Sequence, residues 1–284
     1  MRIIDADRGK LRYANILFNL CEEEFGCPMT IAKIQAKLGV ETDGMFGPQS
    51  FAALYNRLLK TVDLSGKFSD YIKEVYPKKQ IIWHHSAGWD NARGMIDYWQ
   101  VDARPGVATA IGIIDDGTIF KAFDEKYWGG SIGCDAKVFI QHGVPLITSQ
   151  NGKILNNQFL DKGAIAVEVC NWGCLTKEGN QYKTWAGVYL PEDKVIKCSY
   201  RGFEYYEKYT PAEIEALKKW TLLMAIAHNI PLSYNHDDMW EVSKKALSGI
   251  PGLYTHGSYR WDKNDVYPNP ELITMAKSLE QYQL

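Results

Sequence analysis

From Gln80 onward the hydrophobic pattern of this 284-residue chain changes period, and that change restricts the fold more than any other feature. Before it, apolar residues recur at helical spacing. "YANILFNLCEEEFG" runs to a glycine stop, and "MTIAKIQAKLGV" carries Gly39 near its end. "ETDGMFGPQSFAALYNRLLK" opens a helix at Gly47-Pro48, with Phe51, Leu54, Leu58 and Leu59 on its apolar face. After it come short β-rich runs. "QIIWHH" has strand character, "TAIGIIDDGTIFKAF" reads as a hairpin around Asp-Asp-Gly, and "GAIAVEVCNW" is a further strand. "YTPAEIEALKKWTLLMAIAHNI" is then a helix, with Thr210 as N-cap, Pro211 in the first position and Glu213 closing a capping box. The order strand, hairpin, strand, helix predicts an α/β fold: a mixed β-sheet flanked by helices, preceded by a small all-α three-helix domain. The expected boundaries are 1–64 for the helical domain, 65–78 for a linker and 79–284 for the α/β domain, because the stretch 61–79 loses clear patterning.

Composition bounds the partners. Residues that are 46% hydrophobic and 13% aromatic can fill one large core, or a small and a larger one. Lys and Arg number 32 against 34 Asp and Glu, so no basic excess points to nucleic acid or to an anionic membrane surface. No stretch approaches the length of a membrane span, so no membrane insertion is expected. "MRIIDADRGKLRYANILF" lacks the long apolar core of a secretory signal, so the expectation is synthesis in a cytosol without an export signal. The six cysteines are too few and too irregularly spaced for a disulfide framework. "CNWGC" at 170–174 has no matching second Cys or His pair, which favours structural thiols over a zinc site. Oligomeric state is not legible in the pattern.

Three places could carry chemistry. In "AIAVEVC", Ile165, Val167 and Val169 share one face of a strand, while Ala164, Ala166, Glu168 and Cys170 share the other. Glu168 thus interrupts a buried-looking strand on a face of small residues. A carboxylate there is costly unless paired or near a metal, and the small neighbours leave room for a ligand; a sheet-edge Glu bonded to Lys or Arg is the alternative. In "GLYTHGSYRWDKNDVYPNPEL", His256 precedes Lys263 and Asp265, which project to one side if the piece is extended; a solvated loop is the alternative. In "QIIWHH", adjacent residues point to opposite faces, so at most one of His84 and His85 can serve a given metal. One strand histidine with His256 and Asp265 supplies the residue types of a three-ligand zinc site with an open fourth position. Glu168 could then take a proton from water, and Lys263 could stabilise an oxyanion. The composite describes metal-assisted amide hydrolysis.

"IIWHHSAG", "IIDDGTIFKAFDEKYW", "AIAVEVCNWG" and "THGSYRWDKNDVYP" together, in this order, resemble the zinc-dependent N-acetylmuramoyl-L-alanine amidases of the second type. That family includes phage lysozymes with amidase activity and is similar in fold to peptidoglycan-recognition proteins. The resemblance spans roughly residues 79–275 and implies Zn2+ as cofactor and bacterial peptidoglycan as partner. It implies His84, His256 and Asp265 as metal ligands, Lys263 as the catalytic lysine and Glu168 as the acidic residue of the Glu-using members. Thr109 stands near where other members carry a catalytic Tyr, which favours the Glu-using branch. Ser131 replaces a His that many members have after the "KYW" segment, and Ser131 and Trp172 are candidates for a substrate groove. The aromatic segment 176–209 is longer than in the minimal fold; Trp185, Tyr189, Tyr200, Phe203, Tyr205 and Tyr206 could floor a groove or pack as satellite core.

The segment "KIQAKLGVETDGMFGPQSFAALYNRL" resembles a three-helix peptidoglycan-binding domain through Asp43, Gly44, Phe46 and Gly47, with Ser50, Ala52 and Leu54 behind them. A tight Asp-Gly turn, an aromatic anchor and a helix opening at Gly-Pro give that motif its logic. A wall-binding module beside a wall-cleaving domain raises effective concentration on an insoluble substrate. These resemblances together imply cleavage of the amide between N-acetylmuramic acid and L-alanine of the stem peptide. A phage endolysin, made in the cytosol and acting at the cell wall, fits that activity; a bacterial autolysin or toxin exported by another route fits as well. The alternative is a non-catalytic recognition protein on the same fold, whose signature would be loss of the ligands.

Overall fold

The computed structural model describes residues 4–5 and 12–283. The stretch on which the export expectation rests lies partly outside them. Thirteen strands occur among the described residues. They are β1 Ile4–Asp5, β2 Met45–Phe46, β3 Thr61–Asp63, β4 Gln80–His85, β5 Ile111–Ile113, β6 Ile119–Lys121 and β7 Ala164–Val169, followed by β8 Cys174–Glu178, β9 Gln181–Lys183, β10 Tyr189–Leu190, β11 Val195–Tyr200, β12 Phe203–Glu207 and β13 Gly252–Thr255. The main sheet has six strands in the order β13-β4-β7-β5-β6-β3. Every pairing in it is parallel except the β5–β6 hairpin, which turns at Asp115-Asp116-Gly117. The mixed sheet flanked by helices is therefore the observed architecture.

The central strands are buried on both faces, as parallel strands are. Ile81, Trp83, Ile165, Val167 and Val169 point to one side and join the large core. The helix Pro211–His228 covers that side, with Trp83 Nε1 donating to Thr221 Oγ1 at 3.1 Å. That helix carries the predicted capping box, Thr210 and Glu213 bonding each other's backbone. Ile82, Ala164, Ala166 and Tyr254 point to the other side and join a smaller core with Phe139 and Leu160. Each buried Ile or Val contributes about 1.5–3 kcal/mol of burial. A one-residue slip of β7 would exchange these residues for Glu168, so the register is strongly specified.

The three N-terminal helices are Arg12–Phe25, Ile31–Leu38 and Pro48–Leu58. Gly39 ends the second in a left-handed conformation, at φ 69°. The Asp-Gly turn is organised by a buried glutamine that the motif reading overlooked. Gln35 Nε2 donates to Asp43 Oδ1 at 2.7 Å and to Ser50 Oγ at 3.2 Å, while Gly44 N donates to Gln35 Oε1 at 2.9 Å. Phe46 is wholly buried as the anchor, and Gly47 caps the third helix. Beyond that helix, β3 pairs in parallel with β6, and the ring of Phe68 stacks on Phe123 at 6.2 Å. The unpatterned stretch 61–79 thus contributes an edge strand and a core aromatic to the main sheet's side of the molecule.

The aromatic segment 176–209 forms most of a second, antiparallel sheet, ordered β10-β9-β8-β12-β11, which its sequence pattern does not predict. Tyr200 and Tyr206 are core residues of this layer, whereas Trp185, Tyr189 and Phe203 are exposed. No helix of the described residues is long and apolar enough to cross a membrane.

Candidate metal centre

The parallel register sets the first two groups side by side. His84 on β4 pairs with Glu168 on β7, and Glu168 pairs with Gly112 on β5. All three face the small-residue side. Gly112 is required there: a Cβ would stand 2.9 Å from Ala92 Cβ and 2.7 Å from Met95 Cε on the helix Ala92–Trp99. His256 follows the last paired residue of β13, Thr255, which lies opposite Trp83, so it emerges beside His84. A short 3-10 turn, His256–Ser258, fixes it there, with Thr255 N donating to Ser258 Oγ at 3.0 Å. Asp265 arrives on the loop before the last helix, held by Val266 and Tyr267, which are both fully buried. Tyr267 donates to Glu207 O at 2.7 Å and stacks between Tyr206 and Tyr209. The solvated-loop alternative for this stretch does not match such burial.

His84, His256 and Asp265 converge, with one potential ligand atom from each within 4.8 Å of the others. The two imidazole rings lie 4.5 Å apart between centroids. Both aim Nδ1 at the same carboxylate oxygen, Asp265 Oδ2, at 3.3 Å for His84 and 2.8 Å for His256. His256 also directs Nε2 at Ile132 O, 3.0 Å away. A neutral imidazole has one N–H, so it cannot donate to both a carbonyl and a carboxylate. If Nε2 carries the proton for Ile132, the Nδ1 lone pair faces Asp265. A cation among the two Nδ1 atoms and the carboxylate resolves that conflict. These residues could therefore hold a metal ion.

The electrostatics run the same way. Burial, followed by the neighbouring His256, lowers the His84 pKa to about 4, which leaves a lone pair for a metal. Burial pushes Asp265 upward, but His256 and His84 together outweigh it and hold this carboxyl well below the usual range. The donor set is two imidazole nitrogens and one carboxylate oxygen, which suits a divalent cation bound by nitrogen and oxygen.

His85 takes the opposite face, as the strand alternation requires. Its Nδ1 lies 2.8 Å from the Tyr209 hydroxyl, and Gly173 is tight against its ring: a Cβ there would stand 2.3 Å from Nε2. Cys170 and Cys174 are free thiols and take no part in the convergent group.

The three residues open onto a cleft of about 410 Å3, which Glu168, Lys263, Thr109, Ser131 and Asp161 also line. Glu168 Oε2 is buried and has no hydrogen-bond partner. Burial and then Asp265 push the Glu168 pKa well above the ordinary carboxyl value, while Lys263 pulls it down. Lys263 has no ion-pair partner among the described residues. Arg104 and Arg260 also reach the cleft, each forked onto its own aspartate, Asp102 and Asp262. Trp172 does not line the cleft. It is buried to 5% exposure, its backbone N–H bonded to Glu207 Oε2 at 2.6 Å, and its ring backs two exposed indoles at the rim.

Asp161 escaped the sequence reading. It sits in the polar-looking helix Asn156–Gly163, and only the tertiary fold buries it. Its Oδ1 accepts from Ser131 N at 3.0 Å and Ile132 N at 3.2 Å. Burial raises its pKa to about 6, against the lowering effect of those two bonds. Asp161 thereby fixes the backbone whose carbonyl orients His256. Outer partners of this kind are typically worth roughly 10–100-fold in metal affinity. Asp161→Ala is therefore expected to weaken metal binding by about that factor, and Asp161→Asn, which keeps one acceptor, by less. Titration of each variant with the metal, read by calorimetry, checks this; equal affinities across the three proteins would remove the role.

No family model matches the chain, and no curated protein matches it. Among solved structures, the chain is similar to the Staphylococcus aureus hydrolase AmiA in complex with its ligand, at 12% identity and a TM-score of 0.39, over 81% of this chain and 90% of that one. It is similar to PlyL at 12% identity and a TM-score of 0.41, over 77% of this chain and 96% of that one. The same identity and TM-score relate it to the N-acetylmuramoyl-L-alanine amidase LysC from Clostridium intestinale URNW, over 76% of this chain and 95% of that one.

Proposed function

We propose that this protein is a zinc-dependent peptidoglycan amidase. It cleaves the amide between the lactyl group of N-acetylmuramic acid and L-alanine of the stem peptide, in the service of cell-wall lysis. The observation that carries this reading is the convergence of His84, His256 and Asp265 in a cleft that also holds Glu168 and Lys263. Zinc bound there supplies a Lewis acid that polarises a carbonyl and acidifies water. The chain's own residues do the rest. Glu168, with one buried oxygen lacking a partner, accepts the proton of the attacking water and returns it to the leaving amine. Lys263 favours the ionised form of Glu168, and its ammonium also stands ready for the oxyanion that develops on the scissile carbonyl. Arg104 and Arg260 suit carboxylates on the peptide side of the bond.

The N-terminal helices serve as the wall-binding module in this reading, with the turn at Asp43, Gly44, Phe46 and Gly47 shaping it. Such a module increases the local concentration of the enzyme on an insoluble wall. The site of action is the bacterial cell wall, and an endolysin is the role this combination fits.

The test is digestion of purified peptidoglycan with and without a zinc chelator, assaying new amino groups and new reducing sugar ends. New L-alanine amino termini without new reducing ends, lost on chelation and restored by zinc, are expected. New reducing ends would mean a glycosidase. Firm binding to sacculi with no products would mean a recognition protein on this fold.

A further inference from the structure

The chain has nine tryptophans, and it buries six of them to 8% exposure or less. The other three, Trp89, Trp185 and Trp261, are 63%, 74% and 67% exposed; none lines the cleft itself, but each lies next to residues that do. Trp261 stands between the cleft residues Arg260 and Lys263. Trp89 lies two residues beyond Ala87, another cleft residue, and Trp185 Nε1 donates to Ala87 O at 2.7 Å. Exposing large indoles at one rim while burying the rest is costly in water and marks an interaction surface.

Trp89 and Trp185 form the better-built pair. Buried Trp172 sits between them, edge-on to each, with ring centroids 5.0 Å from Trp89 and 6.2 Å from Trp185. Trp185, on the turn between β9 and β10, is tied to the loop of Trp89 by its bond to Ala87 O. The loops that carry Trp89 and Trp172 are tied together at the carboxyl ends of β4 and β7: Ser86 N donates to Val169 O at 2.9 Å and Gly88 N to Asn171 O at 3.2 Å. This is the edge of a parallel sheet where ligands bind. The indoles are thus held in place before any ligand arrives, which keeps the ordering cost of binding low. The one polar group of Trp185 is already bonded to Ala87, so what it offers a ligand is a flat apolar face. With Trp172 buried, two faces are free, which suits stacking on flat ligands and does not enclose a cation on several sides as an aromatic cage does.

We infer that Trp89 and Trp185 form a glycan subsite at the lip of the cleft, taking uncharged pyranose rings on their indole faces. The inference rests on the amidase reading for its biological sense, since the acyl side of the scissile bond is then a sugar within a polymer. The subsite makes the enzyme prefer glycan strands over isolated muramyl peptides that lack neighbouring sugars.

The experiment separates the two readings. A peptide-free β-1,4-linked N-acetylglucosamine tetramer is titrated into the whole protein, followed by tryptophan fluorescence and calorimetry, with and without chelator. Saturable binding in about the millimolar range, insensitive to chelator, is expected. Trp185→Ala and Trp89→Ala should each weaken it about tenfold or more, with Trp185→Phe retaining most of it. Both side chains are exposed, so the variants should fold, and circular dichroism checks that. No saturable binding, or binding unchanged in both alanine variants, overturns the subsite, as does saturation by choline in place of the sugar. If the sugar binds but peptidoglycan is not cleaved, the subsite stands and the amidase reading falls. If peptidoglycan is cleaved and the sugar does not bind, the reverse holds.

Discussion

Asp265→Ala protein is expected to purify without metal and to show no amide hydrolysis above background. The side chain is one of three potential ligands, and among the described residues it is the only carboxylate that faces both Nδ1 atoms of the group. Removing it takes away the one carboxylate of the group and leaves two buried imidazoles to hold a dication. The loss of affinity should exceed the roughly 10–100-fold typical of outer partners. His256→Ala should behave the same way. His85→Gln is the control: that ring faces Tyr209 on the other side of the strand, so the variant should keep its metal. Metal content by mass spectrometry and thermal melting with and without zinc read both results. Melting should rise with zinc in the parent protein and stay flat in Asp265→Ala, because a ligand that binds only the folded state stabilises it. One full equivalent of zinc in Asp265→Ala would show the ligand set to be wrong.

The contrast between His84 and His85 was legible because strand alternation is a local rule, and β4 obeys it along its whole length. The same rule placed Glu168 on the face of Ala164 and Ala166, opposite Val167 and Val169, and the parallel register then brought it beside His84. The capping box at Thr210 and the hairpin turn at Asp115-Asp116-Gly117 were legible for the same reason: both are written within a few residues. What was lost depends on distant partners. β3 is three residues long, and its place at the sheet edge comes from pairing with β6 rather than from its own pattern. The second sheet is built from strands such as β8, whose one buried residue is Leu175, so no alternation survives to be read. Asp161 looks like a surface residue of a polar helix until the Ser131–Ile132 backbone folds over it. Trp172 reads as a groove residue because it is aromatic and close to Glu168 in sequence. The packing of Trp89 and Trp185 on its two sides takes it out of solvent.

Glu168→Gln is the substitution that separates catalysis from metal binding. The amide matches the carboxylate in size, and Glu168 is not one of the three convergent residues, so the protein should fold and keep its zinc. Gly112 and the helix Ala92–Trp99 crowd the same side of the sheet, so the new side chain has little room to swing away. What is lost is the ability to take a proton. General-base catalysis is worth about 10²–10⁴-fold, and kcat on peptidoglycan should fall by that factor with KM little changed. Neutralising the buried carboxyl also removes a group whose charged form is disfavoured by burial and by Asp265, so the variant should be at least as stable as the parent. A large loss of turnover in a protein that is stable and fully loaded with zinc is thus the expected combination. Loss of zinc together with activity would make Glu168 a partner of the metal group, and full activity would move the proton transfer to another residue of the cleft.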